Sequence, residues 1–333
     1  MSSTDHRLVY DKRKASKNDL HLWSDLAELT CLFDTDRQLM KSQFKDRMNE
    51  ADDGIMDSEV PDLYKQAEHS LSSSEIDDAR ESYVEVIWDH LAFRANSLAE
   101  KYPFEVTPGK IILKSGHCFE NPSHDFTNYI FLLSCSHLVF FKELKHQLAT
   151  AFELYVTQAS MELFGPQWEV VHTGTSKGVD GIVSLPSKER DKMKRLSGLL
   201  GFPLRPGRLK SIKGRSVGDG GVDICAFLPS NDLEQPYAVY LISCKCQDDW
   251  HIYKLPSDRL KDYLECFYTP LDAMGIPYMY RNTSGNWYSP PSRGSAYFDR
   301  YRLLNIPNAC ILSLRKSMMD RLLQIFEKET IVY

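Results

Sequence analysis

Two strand-like runs, VDICAFL at 222–228 and YAVYLISCKC at 237–246, flank the turn-rich segment PSNDLEQP. Both runs are dominated by β-branched, aromatic and other apolar residues, and the Pro, Ser, Asn and Asp between them favour a chain reversal. Antiparallel pairing of these runs constrains the chain more than any other feature, because it sets the start of the first against the end of the second. The charged residues at those ends are Asp223 and Lys245, and the glycine-rich GDGG at 218–221 leads into them. Side chains alternate along a strand, so Ser243, Lys245 and Gln247 are expected on one face as an exposed polar trio, with Cys244 and Cys246 packed on the other.

The flanking sequence supplies further elements. KELKHQLATAFELYVTQASMELFG has helical apolar spacing and is stopped by GPQW, after which WEVVHTG reads as a strand. Beyond the hairpin, a helix is expected over PSDRLKDYLECFYTPLDAMG at 256–275, then an aromatic and basic loop at 280–302, a strand NACILSL at 308–314 and a closing helix SMMDRLLQIFEKE. This order predicts an α/β sandwich around a short mixed sheet. Residues 20–100 have helical spacing, whereas 110–141, with KIILKSG and NYIFLLSCSHLVFF, read as strands. The chain is thereby partitioned into a helical regulatory or partner-binding module at 1–105, a strand-rich connecting region at 106–141 and an α/β domain at 142–333 with a basic insertion at 176–215.

Charge is unevenly distributed. The net charge of -6 over 333 residues argues at first against a polyanionic partner, yet residues 50–81 are strongly acidic and 188–215 strongly basic. The acidic stretch is a solvated helix face, a mobile linker, or a segment that binds a basic partner or covers the channel of a polyanionic partner until activation. No apolar h-region opens the chain, and the longest apolar run, 129–141, is too short to span a bilayer as a helix, so a cytoplasmic protein without membrane association is expected. The 8 cysteines are mostly isolated in apolar surroundings, as buried thiols in a reducing compartment would be.

Phosphodiester hydrolysis needs a metal-held water and a neutralised phosphate, and carboxylates with a nearby lysine meet both needs. GDGGVDI followed by ISCKCQ resembles the active-site signature of the PD-(D/E)XK nuclease superfamily, most closely its Mrr-like restriction endonuclease branch. The preceding AFELYVTQASMELFGPQWEVVHTG is similar to that branch's first core helix and strand, and the resemblance extends over about 145–315. It implies that Asp223 is the metal-binding aspartate, that Lys245 sits by the attacking water and scissile phosphate, that Glu153 is the helix carboxylate assisting the metal, and that Asp219 is an auxiliary ligand. The implied ion is Mg²⁺ or Mn²⁺. Ser243 departs from the pattern, standing where the family has Glu, Asp or Gln; a hydroxyl is a poor Mg²⁺ ligand. Either Glu153, or a water held by Ser243 and Gln247, compensates, or the site is degenerate. The basic insertion, where the family has a short connection, places Lys192, Lys194, Arg195, Arg205, Arg208, Lys210, Lys213 and Arg215 as candidate phosphate contacts.

The resemblance therefore implies a Mg²⁺-dependent endonuclease acting on DNA, an effector of a prokaryotic antiphage or restriction system. Without a Walker A pattern, a sensor or ATPase would be a separate protein partner; self-association is left open. The alternative is a catalytically degenerate nucleic-acid-binding or assembly subunit of the same fold, and an RNA substrate is a third reading. Other motifs have plainer explanations. Asp180 in a second GVDG reads as a turn, His117, Cys118 and His124 fit no zinc spacing, and the calcium-loop-like NEADDGIMDSEV has Ala51 and Val60 where oxygen ligands are needed.

Overall fold

The computed structural model describes residues 20–52, 73–117, 119–174, 181–205, 207–208, 221–230, 232, 234–247, 250, 254–289 and 295–328. Among them are nine α-helices, a mixed six-stranded sheet and a small three-stranded sheet. No helix among the described residues is long and apolar enough to cross a membrane. The chain divides into two compact units, one formed by Met1–Lys142, Tyr278–Ser289 and Ser317–Tyr333, the other by Glu143–Pro277 and Pro290–Lys316.

In the first unit, α1 (Leu20–Phe33), β1 (Gln38–Met40), α2 (Lys41–Asp52), α3 (Ser73–Leu98), β2 (Phe104–Thr107), β3 (Lys110–Leu113) and α4 (His124–Ser136) follow in order. The strands pair antiparallel as β1-β3-β2. Every residue of α1 is buried, including Asp25 and Glu28. Buried carboxylates need a partner, and Arg94 of α3 supplies it, with Nη1 2.5 Å from Asp25 Oδ1 and 2.7 Å from Glu28 Oε1. The hydroxyls of Tyr102 and Tyr129 donate to the two oxygens of Glu28. KIIL forms β3 as expected, but 124–136 is helical where a strand was expected at 129–141. A run buried on all sides has no amphipathic period to separate the two. The deciding local signal is Ser123, whose Oγ accepts from the Phe126 amide as an N-cap.

The second unit begins with α5 (Lys145–Phe164), β4 (Glu169–His172), β5 (Val183–Ser184) and α6 (Glu189–Leu200), continues through β6 (Ile224–Leu228), β7 (Ala238–Cys244), α7 (Pro256–Leu260) and β8 (Leu271–Gly275), and ends with β9 (Ala296–Phe298), α8 (Arg300–Leu304) and the first residues of α9 (Ile311–Lys328). Its sheet has the order β5-β4-β6-β7-β8-β9. The central hairpin pairs Ile224 with Ile242 through Leu228 with Ala238, so the two expected runs are antiparallel neighbours. One sheet face buries Val171, Cys225, Phe227, Val239 and Leu241 against Met193, Leu196 and Leu200 of α6 and Leu260 of α7. The opposite face meets α5, whose Phe164 lies on Tyr240 and whose Val156 lies against Gly275. Each such aliphatic side chain contributes on the order of 1.5–3 kcal/mol through burial, so the layers are held from both sides.

Two further elements differ from expectation. The helix begun at Pro256 ends at Leu260, and 271–275 is strand β8, parallel to both β7 and β9. Residues 311–314, expected as strand, open α9. Both changes depend on partners distant in sequence. The 280–302 loop contains β9 and the start of α8, and the described aromatics in it pack: Tyr297 against Trp250, and Tyr280 and Tyr288 against each other.

Candidate functional site

Asp223 stands one residue before β6, opposite Ser243 near the end of β7. Asp223 is 2% exposed, and such burial of a carboxylate demands donors. The amide of Cys244 donates to Oδ2 at 2.6 Å, Ser243 Oγ lies 3.3 Å from the same oxygen, and Lys245 Nζ lies 3.6 Å from it. The Asp223 carbonyl accepts from the amides of Thr173 and Gly174 at 2.7 and 3.1 Å, tying the start of β6 to the chain leaving β4. Lys245 is itself fixed by its amide, which donates to the Gly275 carbonyl at 2.9 Å, and its side chain remains half-buried rather than enclosed.

The expected face alternation needs correction. Ser243 is buried, not presented to solvent, because its hydroxyl is turned onto Asp223. The strand ends at Cys244, so alternation stops there: Cys246 is half-buried and Gln247 exposed. Ser243 orients Asp223.

Glu153 arrives from α5, which packs against β4, β6 and β7. Its Oε2 lies 3.2 Å from Nε2 of His172, a fully buried residue at the end of β4 whose Nδ1 is 3.4 Å from Ser184 Oγ. A Cβ at residue 174 would collide with that same Glu153 oxygen and with the His172 ring, so glycine is needed where the carboxylate meets the backbone. Because the Gly174 amide binds the Asp223 carbonyl, the two carboxylate-bearing residues share one backbone junction. Their charges also act together on the Cys244 thiol: burial first, then Asp223 and Glu153, hold it well above the usual thiol range. The chain thus assembles two carboxylates, a lysine, a serine and a histidine around the end of the hairpin. His172 was not among the residues read from sequence; its one signal is a histidine closing an apolar strand directly before Thr-Gly.

The basic residues divide. Lys192 is fully buried within α6, beside Met193 and Leu196, and is corrected from a surface phosphate contact to an interior residue. Helical spacing places it on the inward face that the heavily charged sequence obscured. Lys194, Arg195, Arg205 and Arg208 are exposed, with Arg205 Nε donating to the Leu264 carbonyl at 3.2 Å. Asp219, Lys210, Lys213 and Arg215, like Cys118, Asp180 and the acidic stretch at 53–72, lie outside the described residues. Among the described residues, no group of three or more His, Cys, Asp or Glu side chains is arranged to hold a metal ion. No protein-family model, no curated protein and no solved structure matches the chain.

Proposed function

We propose that this chain is a metal-dependent nuclease hydrolysing DNA phosphodiester bonds, with its second unit a restriction-endonuclease-like sandwich of the PD-(D/E)XK kind. The observation that carries the proposal is that Lys245 Nζ lies 3.6 Å from Asp223 Oδ2, while Glu153 of α5 lies against Gly174, whose amide binds the Asp223 carbonyl. The donor chemistry fits Mg²⁺ or Mn²⁺. Asp223 and Glu153 offer hard carboxylate oxygens, and Mg²⁺ takes one or two protein carboxylates while keeping waters and phosphate oxygens in its other positions. These two residues would hold the ion. When bound, it would supply a Lewis acid for the phosphoryl oxygen and acidify a water.

The chain's own residues do the rest. Lys245 places a positive charge 3.6 Å from Asp223 Oδ2, where it offsets the charge of a phosphate drawn to the site and orients a water against it. The Cys244 amide and Ser243 hydroxyl keep Asp223 in one orientation, and His172 does the same for Glu153. The family resemblance extends the proposal to a cytoplasmic effector of a prokaryotic antiphage or restriction system, working with a sensor or ATPase subunit.

The test is cleavage of supercoiled plasmid and single-stranded DNA in Mg²⁺ and Mn²⁺ by the wild type, Asp223→Ala and Lys245→Ala. Cutting by the wild type that both variants lose is the expected result; cutting that both retain overturns the assignment. A second reading, a degenerate DNA-binding subunit, is favoured by one observation: Asp223 Oδ2 is already engaged by Cys244, Ser243 and Lys245, with a serine where a further carboxylate would stand. Calorimetric Mn²⁺ binding decides between them. A nuclease binds the ion and loses it in Asp223→Ala, whereas a degenerate scaffold has none to lose.

A further inference from the structure

We propose that Arg259 is a phosphate-binding residue of this site, contacting the DNA backbone beside the scissile bond; the inference rests on the nuclease reading above. Arg259 belongs to α7, which packs against β7 and β8. Its side chain lies directly over Gly221, two residues before Asp223. A Cβ at residue 221 would come within 2.5 Å of Nη1 and 2.7 Å of Nε, and Gly221 has φ +78. The positive φ favours glycine there, and the arginine occupies the space a side chain would take. The segment 221–223 has a cation at each end, Arg259 over Gly221 and Lys245 beside Asp223.

The guanidinium has no partner of its own among the described residues. Other arginines of the protein show the contrast. Arg94 is paired with Asp25 and Glu28, Arg300 Nε donates to the Pro277 carbonyl at 2.8 Å, and Arg302 Nη1 donates to the Tyr297 carbonyl at 2.8 Å. The neighbouring carboxylate of Asp272 does not answer Arg259, because it takes the amide and hydroxyl of Ser257 at 2.7 and 2.5 Å. A half-buried guanidinium has lost part of its hydration and keeps donors in a planar fork. That fork matches two oxygens of one phosphate, the geometry in which arginine exceeds lysine. Held against the backbone that leads into Asp223, it is pre-oriented for a phosphodiester, not for a mobile counterion.

The experiment measures binding of a short fluorescein-labelled DNA duplex to the full chain by anisotropy, without divalent metal and across a salt series. For Arg259→Gln, affinity at low salt falls roughly tenfold, and the slope of log K against log salt becomes shallower by about 0.9, the loss of one duplex phosphate contact. Arg259→Lys keeps the slope but not the full affinity, which separates charge from fork geometry and guards against a folding defect. Gly221→Ala, which must displace the arginine, weakens binding as Arg259→Gln does. Unchanged affinity and slope in Arg259→Gln overturn the inference while plasmid cleavage, sensitive to Lys245→Ala, leaves the nuclease reading standing. Binding that depends on Arg259 in a wild type that cuts no DNA keeps the phosphate contact and removes the catalysis. A wild type that binds no duplex at any salt removes both.

Discussion

Asp223 has a structural and a chemical role that substitutions can separate. Its Oδ2 is the acceptor for the buried Cys244 amide at the end of β7. Asp223→Ala leaves that amide unsatisfied, at about 1–3 kcal/mol. Asp223→Asn keeps an oxygen in place and removes the charge. We therefore expect thermal melting to show a larger loss of stability in Asp223→Ala than in Asp223→Asn, with cleavage abolished in both; equal melting points would contradict the capping role. The pair Asp223 and Lys245 was legible in sequence because each sits at the end of one of two strand-like runs joined by a turn. His172 and Arg259 were not, because each meets the site through a residue far along the chain. Glu153 was named only through family resemblance; its junction with Gly174 is visible only once α5 lies on the sheet.

At the level of elements, α3 shows how burial sets pH dependence. His90 donates from Nε2 to the Arg281 carbonyl at 2.8 Å, since a carbonyl only accepts, and its Nδ1 lies 2.7 Å from Ser24 Oγ of α1. Burial, and then the charge of Arg94, hold its pKa well below the ordinary 6.5. The unfolded chain therefore takes up this proton first as the solution is acidified. The stabilisation is present above the ordinary value and is lost as pH falls below it. Urea unfolding followed between neutral pH and about pH 5 should show a falling midpoint, and His90→Gln should flatten that fall. A variant with the wild-type pH profile would remove His90 as the source. The elements misread from sequence depended on their surroundings. α4 is buried from Phe126 onward and offers no amphipathic period, and β8 is strand through its parallel pairing with β7 and β9.

The whole molecule does not follow a linear partition at 105 and 141. Tyr278–Ser289 and Ser317–Tyr333 belong with the N-terminal unit, and α9 crosses the division with Arg315 at a non-helical φ of -148 and ψ of 54. Within that unit Phe326 stacks on Phe119 and packs in tilted contact with Phe33 and Phe141. A chain truncated to 143–333 would strip these partners from Phe326 and leave α9, whose Met318, Met319, Leu322 and Leu323 are also buried, without the unit that holds them. We expect it to be recovered as aggregate by size-exclusion chromatography; a monodisperse fragment with intact plasmid cleavage would show that residues 143–333 need nothing from residues 1–142. The sequence by itself determined the hairpin, the helix before it and the acid and base at its ends, because strand alternation and turn chemistry act over a few residues. Tertiary structure decided the remainder: that Ser243 and Lys192 are interior, that β8 and β9 extend the sheet in parallel, and that Glu153, His172 and Arg259 reach the same hairpin end. Those outcomes depend on which distant segments exclude water from one another, and no local pattern encodes that.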